Sequence, residues 1–204
     1  MIKNDTWIRQ QASNGMIVPF CDTLVREITR EHAAGHGPDC TVKALSFGCS
    51  SYGYDLRLSS SEFLIFRHVP GTVVDPKDFS PKNLETAELH EDKNGQFFIL
   101  PARSYGLGVA IENLTIPDNI TCLFIGKSTY ARAGIIANLT PGEAGWKGHL
   151  TLEFSNSSGA DCRIYANEGI VQALFFEGEP CATTYHDRSG KYQDQAHAVT
   201  LARI

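Results

Sequence analysis

The sequence predicts a mainly β protein, a sandwich or distorted barrel preceded by short N-terminal helices. From about residue 46, short runs rich in β-branched and aromatic residues recur between turn residues, roughly every 8–12 positions. No strand–helix–strand alternation appears, which disfavours a doubly wound sheet. The chain has 204 residues, 42% of them hydrophobic, enough for one domain with a real core.

Taken in order, "DTWIRQQAS" (5–13) reads as a helix with Asp5 as N-cap. "CDTLVREITREH" (21–32) places Leu24, Val25 and Ile28 on one helical face and predicts a second helix. "AAGHGPDC" (33–40) is a Gly/Pro-punctuated loop. Strands are then expected in "EFLIF" (62–66), "GTVVD" (71–75), "QFFIL" (96–100), "SYGLGVA" (104–110), "ITCLFIG" (120–126), "GIIANL" (134–139), "GHLTLEFS" (148–155), "CRIYA" (162–166) and "GIVQALFFE" (169–177). The tail is polar until its last few residues and reads as a mobile arm. The expected organisation is a single domain over 1–204: a helical part to about residue 45, a barrel over about 46–185 and an arm over 186–204.

The formal net charge is −5 and no Lys/Arg run occurs, which argues against nucleic-acid binding along the backbone. No apolar run approaches the roughly 18–20 residues that a membrane span needs, and "MIKNDTWIRQQ" has no apolar signal core; a cytoplasmic location is expected. The six cysteines, Cys21, Cys40, Cys49, Cys122, Cys162 and Cys181, form no C-x-x-C pair, and buried thiols are the simplest reading.

"GKST" (126–129) invites comparison with a nucleotide phosphate loop. That loop needs a glycine where this chain has Thr121, and a strand–loop–helix context that is missing here. The local pattern still suits an anion. Gly126 ends an apolar strand, and "KSTYAR" can form one helical turn whose backbone amides point outward. Ser128 and Arg132 stand four apart on one face. Lys127 offers a point charge and Arg132 a planar fork. An ordinary solvated turn fits the same spacing.

In "GHLTLEFSN" (148–156), strand alternation puts Leu150, Leu152 and Phe154 on the core face and His149, Thr151 and Glu153 on the other. Glu153 is then either solvent-facing or, if that face lines a closed pocket, a desolvated carboxyl suited to acid–base work. "HAAGH" sets His32 and His36 four apart with Cys40 following, but no further zinc-spaced ligands accompany them. The zinc-deaminase pair H-x-E and P-C-x-x-C is absent, since Thr184 stands where Pro180-Cys181 would need its second cysteine. No G-x-S-x-G elbow occurs.

Taken together, "SSYGYDLRL" (50–58), "VDPKDF" (74–79), "GKSTYAR" (126–132), "GWKGHLTLEFSN" (145–156), "NEGIVQALFFE" (167–177) and "GKYQDQ" (190–195) resemble, in the family's order, the dCTP deaminases of the trimeric dUTPase-like superfamily. The resemblance implies a distorted β-barrel or jelly roll and a homotrimer with active sites between subunits. It implies a hydrolase that converts dCTP to dUTP without a catalytic cofactor, Mg2+ only accompanying the triphosphate, with dTTP as a feedback inhibitor. By match to the family, Glu153 is the catalytic acid/base, and Ser128 and Arg132 hold water, base and carboxylate. Lys127, Ser128, Thr129, Tyr130, Ala131 and Arg132 form the nucleotide-binding turn. Thr151 and Leu152 contact the pyrimidine, and Gln172, Tyr185, Lys191 and Gln195 make further nucleotide contacts.

One departure is "TPGEAGW" (140–146), where many relatives carry Asp-Pro-Gly. Relatives that also cleave the triphosphate use a nearby Asp, and Glu143 is the carboxylate available here; release of dUTP is therefore expected over onward hydrolysis to dUMP. A dUTPase would show a Tyr-Asp uracil hairpin and a Gly-rich arm with Phe, neither of which is seen. A trimeric nucleotide sensor would not need Glu153 as an acid/base.

Overall fold

A computed structural model of the chain describes residues 1–30, 40–67, 69–138 and 140–204. In chain order the elements are α1 (Asp5–Ser13), β1 (Ile17–Val18), β2 (Leu24–Arg30), β3 (Cys40–Ser50), β4 (Gly53–Phe66), a 3-10 turn (Pro81–Asn83), β5 (Leu84–Thr86), β6 (His90–Asp92), β7 (Gly95–Leu100), β8 (Tyr105–Thr115), β9 (Ile120–Gly126), α2 (Ser128–Arg132), β10 (Ile135–Ala137), β11 (Pro141–Gly142), β12 (Lys147–Asn156), β13 (Cys162–Tyr165) and β14 (Gly169–Glu177). The mainly β expectation holds. One large antiparallel sheet runs β10-β12-β8-β4-β14-β9-β11, with β1 on β8, β5 on β4 and the β2–β3 hairpin joined through β4; a small sheet orders β13-β7-β6.

The long strand β4 belongs to two halves of this sheet. Its first part pairs with β3 and β14, its second with β5 and β8. Between Leu58 and Phe63 the register with β8 slips, and Ser59 and Ser61 join hydroxyls across the irregularity at 2.8 Å. Such a bulge bends a strand and lets one sheet wrap towards closure. Gly108 in the facing strand is required here, because a Cβ on it would lie 2.4 Å from the Leu58 side chain.

The core fills the space enclosed by this bend. Tyr54, Leu56, Leu58, Phe63, Phe98, Phe154 and Phe175 are fully buried or nearly so, and Phe63 stacks on Phe98 with ring centroids 5.1 Å apart. Side chains of this size contribute about 1.5–3 kcal/mol each on burial.

Several expectations change. The segment 21–32 is not a helix: 24–30 form β2, paired with β3 from Leu24↔Gly48 to Arg30↔Cys40. Its apolar spacing fitted either period, and the β-branched Val25, Ile28 and Thr29 favour the strand once β3 supplies a partner. "GTVVD" forms no strand. Val73 is 88% exposed, because an apolar run without a partner strand has nothing to bury it. The α1 N-cap is Asn4, whose side chain accepts from the Trp7 N–H at 3.1 Å; Asp5 sits in the first turn and pairs with Arg9 at 2.6 Å. The cysteines are free thiols where described, but only Cys49 and Cys122 are buried and Cys181 is exposed. No helix among the described residues is long and apolar enough to cross a membrane.

The C-terminal tail differs most from expectation. It folds back along β12 instead of standing free. The Trp146 indole donates to the Tyr192 carbonyl at 2.7 Å, the Asp194 N–H to Lys147 at 2.8 Å and the His149 N–H to Gln195 at 3.0 Å. Gly148 (φ +142°) allows this approach, since a Cβ there would lie 2.5 Å from the Gln195 nitrogen. Backbone hydrogen bonds to an open strand edge hold the tail in this place.

Candidate active site

Strand β12 supplies the chemistry. Glu153 lies opposite Leu107 of β8, and Ser155 opposite Tyr105. As alternation requires, Leu152 and Phe154 point into the core, while Thr151 and Glu153 face a cavity of about 520 Å3. Leu150 departs from its predicted place: pairing with β8 is irregular between His149 and Thr151, and Leu150 is half-buried and lines the cavity as well.

Aromatic rings make up part of the cavity lining. Phe66, Phe79, Tyr105 and Trp146 form its walls, with the 140–143 segment on one side. The tail closes another side through Tyr185, Lys191, Tyr192 and Gln195. Its size is that of a small-molecule site, and few polar groups converge in it, as such sites require.

Burial pushes the Glu153 carboxyl above the usual carboxylate range, and the Tyr105 hydroxyl acts in the opposite sense. A carboxyl whose pKa is raised towards the working pH is better suited to take and return a proton. Thr151 presents its N–H and hydroxyl to the Gln195 side-chain oxygen at 3.2 and 3.3 Å. Gln195 therefore reaches β12 two residues from Glu153. Lys191 donates to the Arg203 carbonyl at 2.7 Å.

The other predicted residues lie elsewhere on the chain. "STYAR" forms the expected single turn, α2. Ser128, Thr129, Ala131 and Arg132 are exposed and do not line the Glu153 cavity. Arg132 donates to the Ser128 carbonyl at 3.0 Å, the contact that their spacing allowed. Lys127 is paired with the buried Asp55 and also donates to Ser46 at 3.0 Å. Gln172 donates to the other Asp55 oxygen at 3.0 Å and to Ser50 at 3.2 Å. Tyr130 is a core side chain whose hydroxyl accepts from the Tyr165 N–H at 2.8 Å, and the Leu152 side chain is buried away from the cavity. Apolar bulk on the inward face of its element decides each. His32 and His36 lie outside the described residues.

The structure thus sorts the predicted residues into two sets. Glu153, Thr151, Tyr185, Lys191 and Gln195 share one cavity, and Lys127, Ser128, Thr129, Ala131, Arg132 and Gln172 lie away from it. The family model for dCTP deaminase-like proteins matches residues 24–178.

The chain belongs to the dCTP deaminase-like family.

It is 47% identical to the dCTP deaminase of Campylobacter curvus over 100% of this chain and 98% of that one. The dCTP deaminase of Aromatoleum aromaticum is also 47% identical, over 100% and 99%. Among solved structures, the 2'-deoxycytidine 5'-triphosphate deaminase of Agrobacterium tumefaciens aligns with a TM-score of 0.52 at 16% identity, covering 87% of this chain and 48% of that chain. That likeness speaks for the fold.

Sequence reasoning missed Tyr105, Trp146, Phe66, Phe79 and Tyr192 as cavity walls. "SYGLGVA" was legible as a strand, and a lone tyrosine between serine and glycine does signal a polar tip on an apolar body. The other rings carry no signal that separates a pocket wall from a core.

Proposed function

We propose that this protein deaminates dCTP hydrolytically to dUTP and ammonia. The observation that carries the reading is Glu153: a desolvated carboxyl in a cavity lined in part by aromatic rings, on the strand edge that presents Thr151, in a chain related over its full length to dCTP deaminases. Water adds to C4 of the cytosine and gives one proton to Glu153, which passes it to N3. The new C4 hydroxyl then gives its proton through Glu153 to the amine, and the C4–N bond breaks as C4=O forms, leaving uracil and ammonia. One carboxyl held beside both water and ring can serve every transfer.

Thr151 and the backbone at Leu152 read the pyrimidine edge, taking the place that Gln195 occupies against Thr151. Tyr185 and Lys191 bound the rest of the nucleotide, Lys191 suiting the triphosphate, which arrives with Mg2+ as part of the substrate. Ser128 and Arg132 orient the water and stabilise developing charge. Lys127, Thr129, Tyr130, Ala131 and Gln172 shape the turn that carries them. Because α2 does not line the Glu153 cavity of its own chain, Ser128 and Arg132 act on the cavity of a neighbouring copy, in a cytoplasmic homotrimer. dTTP, a pyrimidine triphosphate, is the expected feedback ligand. Glu143 lines the cavity but is paired with Arg188, which supports release of dUTP without onward hydrolysis.

Incubating the pure protein with dCTP and Mg2+ and separating the products by ion exchange tests this directly. dUTP with equimolar ammonia is expected. dUMP would indicate a second, hydrolytic step, and unchanged dCTP would overturn the proposal.

A further inference from the structure

Tyr105 opens β8 opposite Ser155, and Glu153, two residues earlier on β12, is its diagonal neighbour on the same face. Phenol and carboxyl line one cavity, and the phenol acts on the carboxyl in the sense opposite to burial. Asn138 braces both. Its backbone N–H donates to the Glu153 carbonyl at 2.9 Å, and its side-chain amide donates to the Tyr105 hydroxyl at 3.0 Å. The Tyr105 ring is wedged edge-on against Phe66, with centroids 5.1 Å apart at 89°.

A phenol has one proton and two lone pairs. The Asn138 amide occupies a lone pair, so the proton is left for the Glu153 carboxylate. Burial, followed by the charge of Glu153, holds the Tyr105 hydroxyl above its ordinary range, and it remains a donor at neutral pH.

We infer that Tyr105 is a positioning residue for Glu153: its hydroxyl, aimed by Asn138, holds one carboxylate oxygen and leaves the other to exchange protons with water and base. The inference rests on the deaminase reading above. The terminal torsion of a glutamate is broad, and one donor on one oxygen removes that freedom where two reacting partners must be met in turn. The same donor favours the ionised form and opposes the effect of burial.

Tyr105→Phe keeps the ring against Phe66 and removes only the hydroxyl. We expect kcat to fall about ten-fold with KM changed by less than about two-fold. The acid limb of the kcat–pH profile should move up by about one pH unit. The sign follows from the chemistry: Glu153 must be ionised to take the water's proton, loss of the donor raises its pKa, and activity is lost first at low pH. Asn138→Ala should act in the same direction and more weakly. In a Glu153→Gln background, Tyr105→Phe should change the residual rate no further. A 13C NMR titration of the Glu153 carboxyl in wild type and Tyr105→Phe, without substrate, reads the same link and should give a higher pKa in the variant. An unchanged Glu153 pKa overturns the inference, as does a rise in KM alone, which would make Tyr105 a substrate contact. If the wild type releases no ammonia from dCTP, the deaminase reading fails, while the NMR titration still decides whether Tyr105 acts on Glu153.

Discussion

The Glu153 cavity and the α2 turn are opposites in construction. The cavity is walled by β4, Phe79, β8, the 140–143 segment, Trp146, β12 and the folded-back tail. Enclosure desolvates the carboxyl and raises its pKa. The α2 turn has no such shelter. Ser128, Thr129 and Arg132 are exposed. A protein tunes an acid by surrounding it, whereas a permanently charged guanidinium needs no tuning and can be presented on a surface. That division is what the proposed site shared between copies rests on.

The strongest challenge to this contrast is removal of the enclosed acid. Glu153→Gln keeps the shape and cannot shuttle protons, so deamination should fall by about 10²–10⁴-fold while dCTP binding persists. Retention of more than about a tenth of the wild-type rate would show that the cavity does not house the acid/base.

Subunit mixing tests the other side. Arg132→Ala and Glu153→Gln should each be inactive alone. Co-assembled in equal amounts, they should regain activity at about a quarter of the sites, because one copy supplies the carboxyl and another the guanidinium. No recovery on mixing would place both groups in one chain's site.

The tail is the part of the cavity wall that is added last. Truncation after Tyr185 removes Lys191, Tyr192 and Gln195, and with them the contacts to Trp146 and Thr151. KM should rise and kcat fall, each on the order of ten-fold, through water entry and a lost phosphate contact. Circular dichroism should show the barrel intact. Unaltered kinetics would make the docked tail incidental.

The smallest effect expected concerns pH. His197 of the tail lies tilted against His149 with centroids 4.7 Å apart, and burial, then the neighbouring His149, holds its pKa below the ordinary value. A group with a depressed pKa stabilises the docked state above its free pKa, and that stability is lost as pH falls through the depressed value. Hydrogen exchange in 191–201 should therefore quicken on acidification below about pH 6, given the ordinary histidine pKa near 6.5. His197→Ala should flatten the dependence, and equal acceleration in both proteins would assign it to other groups.

Much of this was legible from residues alone. The alternation in "LTLEF" placed Glu153 opposite two core side chains, and the structure keeps that division, because a period of two survives wherever one face must be buried. The "STYAR" turn was equally plain. The segment 24–30 was not, since Leu24, Val25 and Ile28 satisfy a helical face as readily as an irregular strand. Nor was the exposure of Val73, because β propensity does not reveal whether a partner strand exists.

The sequence by itself determined the mainly β class, the α2 turn and the side of β12 on which Glu153 stands, since local periodicity and turn chemistry are written in neighbouring residues. Only the tertiary structure decided that Tyr105, Phe66, Trp146 and the tail meet around that carboxyl, that Asp55 claims Lys127 and Gln172, and that α2 lies away from the cavity. These depend on strand order and register between segments far apart in the chain, where the energy of burial is shared among partners that no single stretch contains.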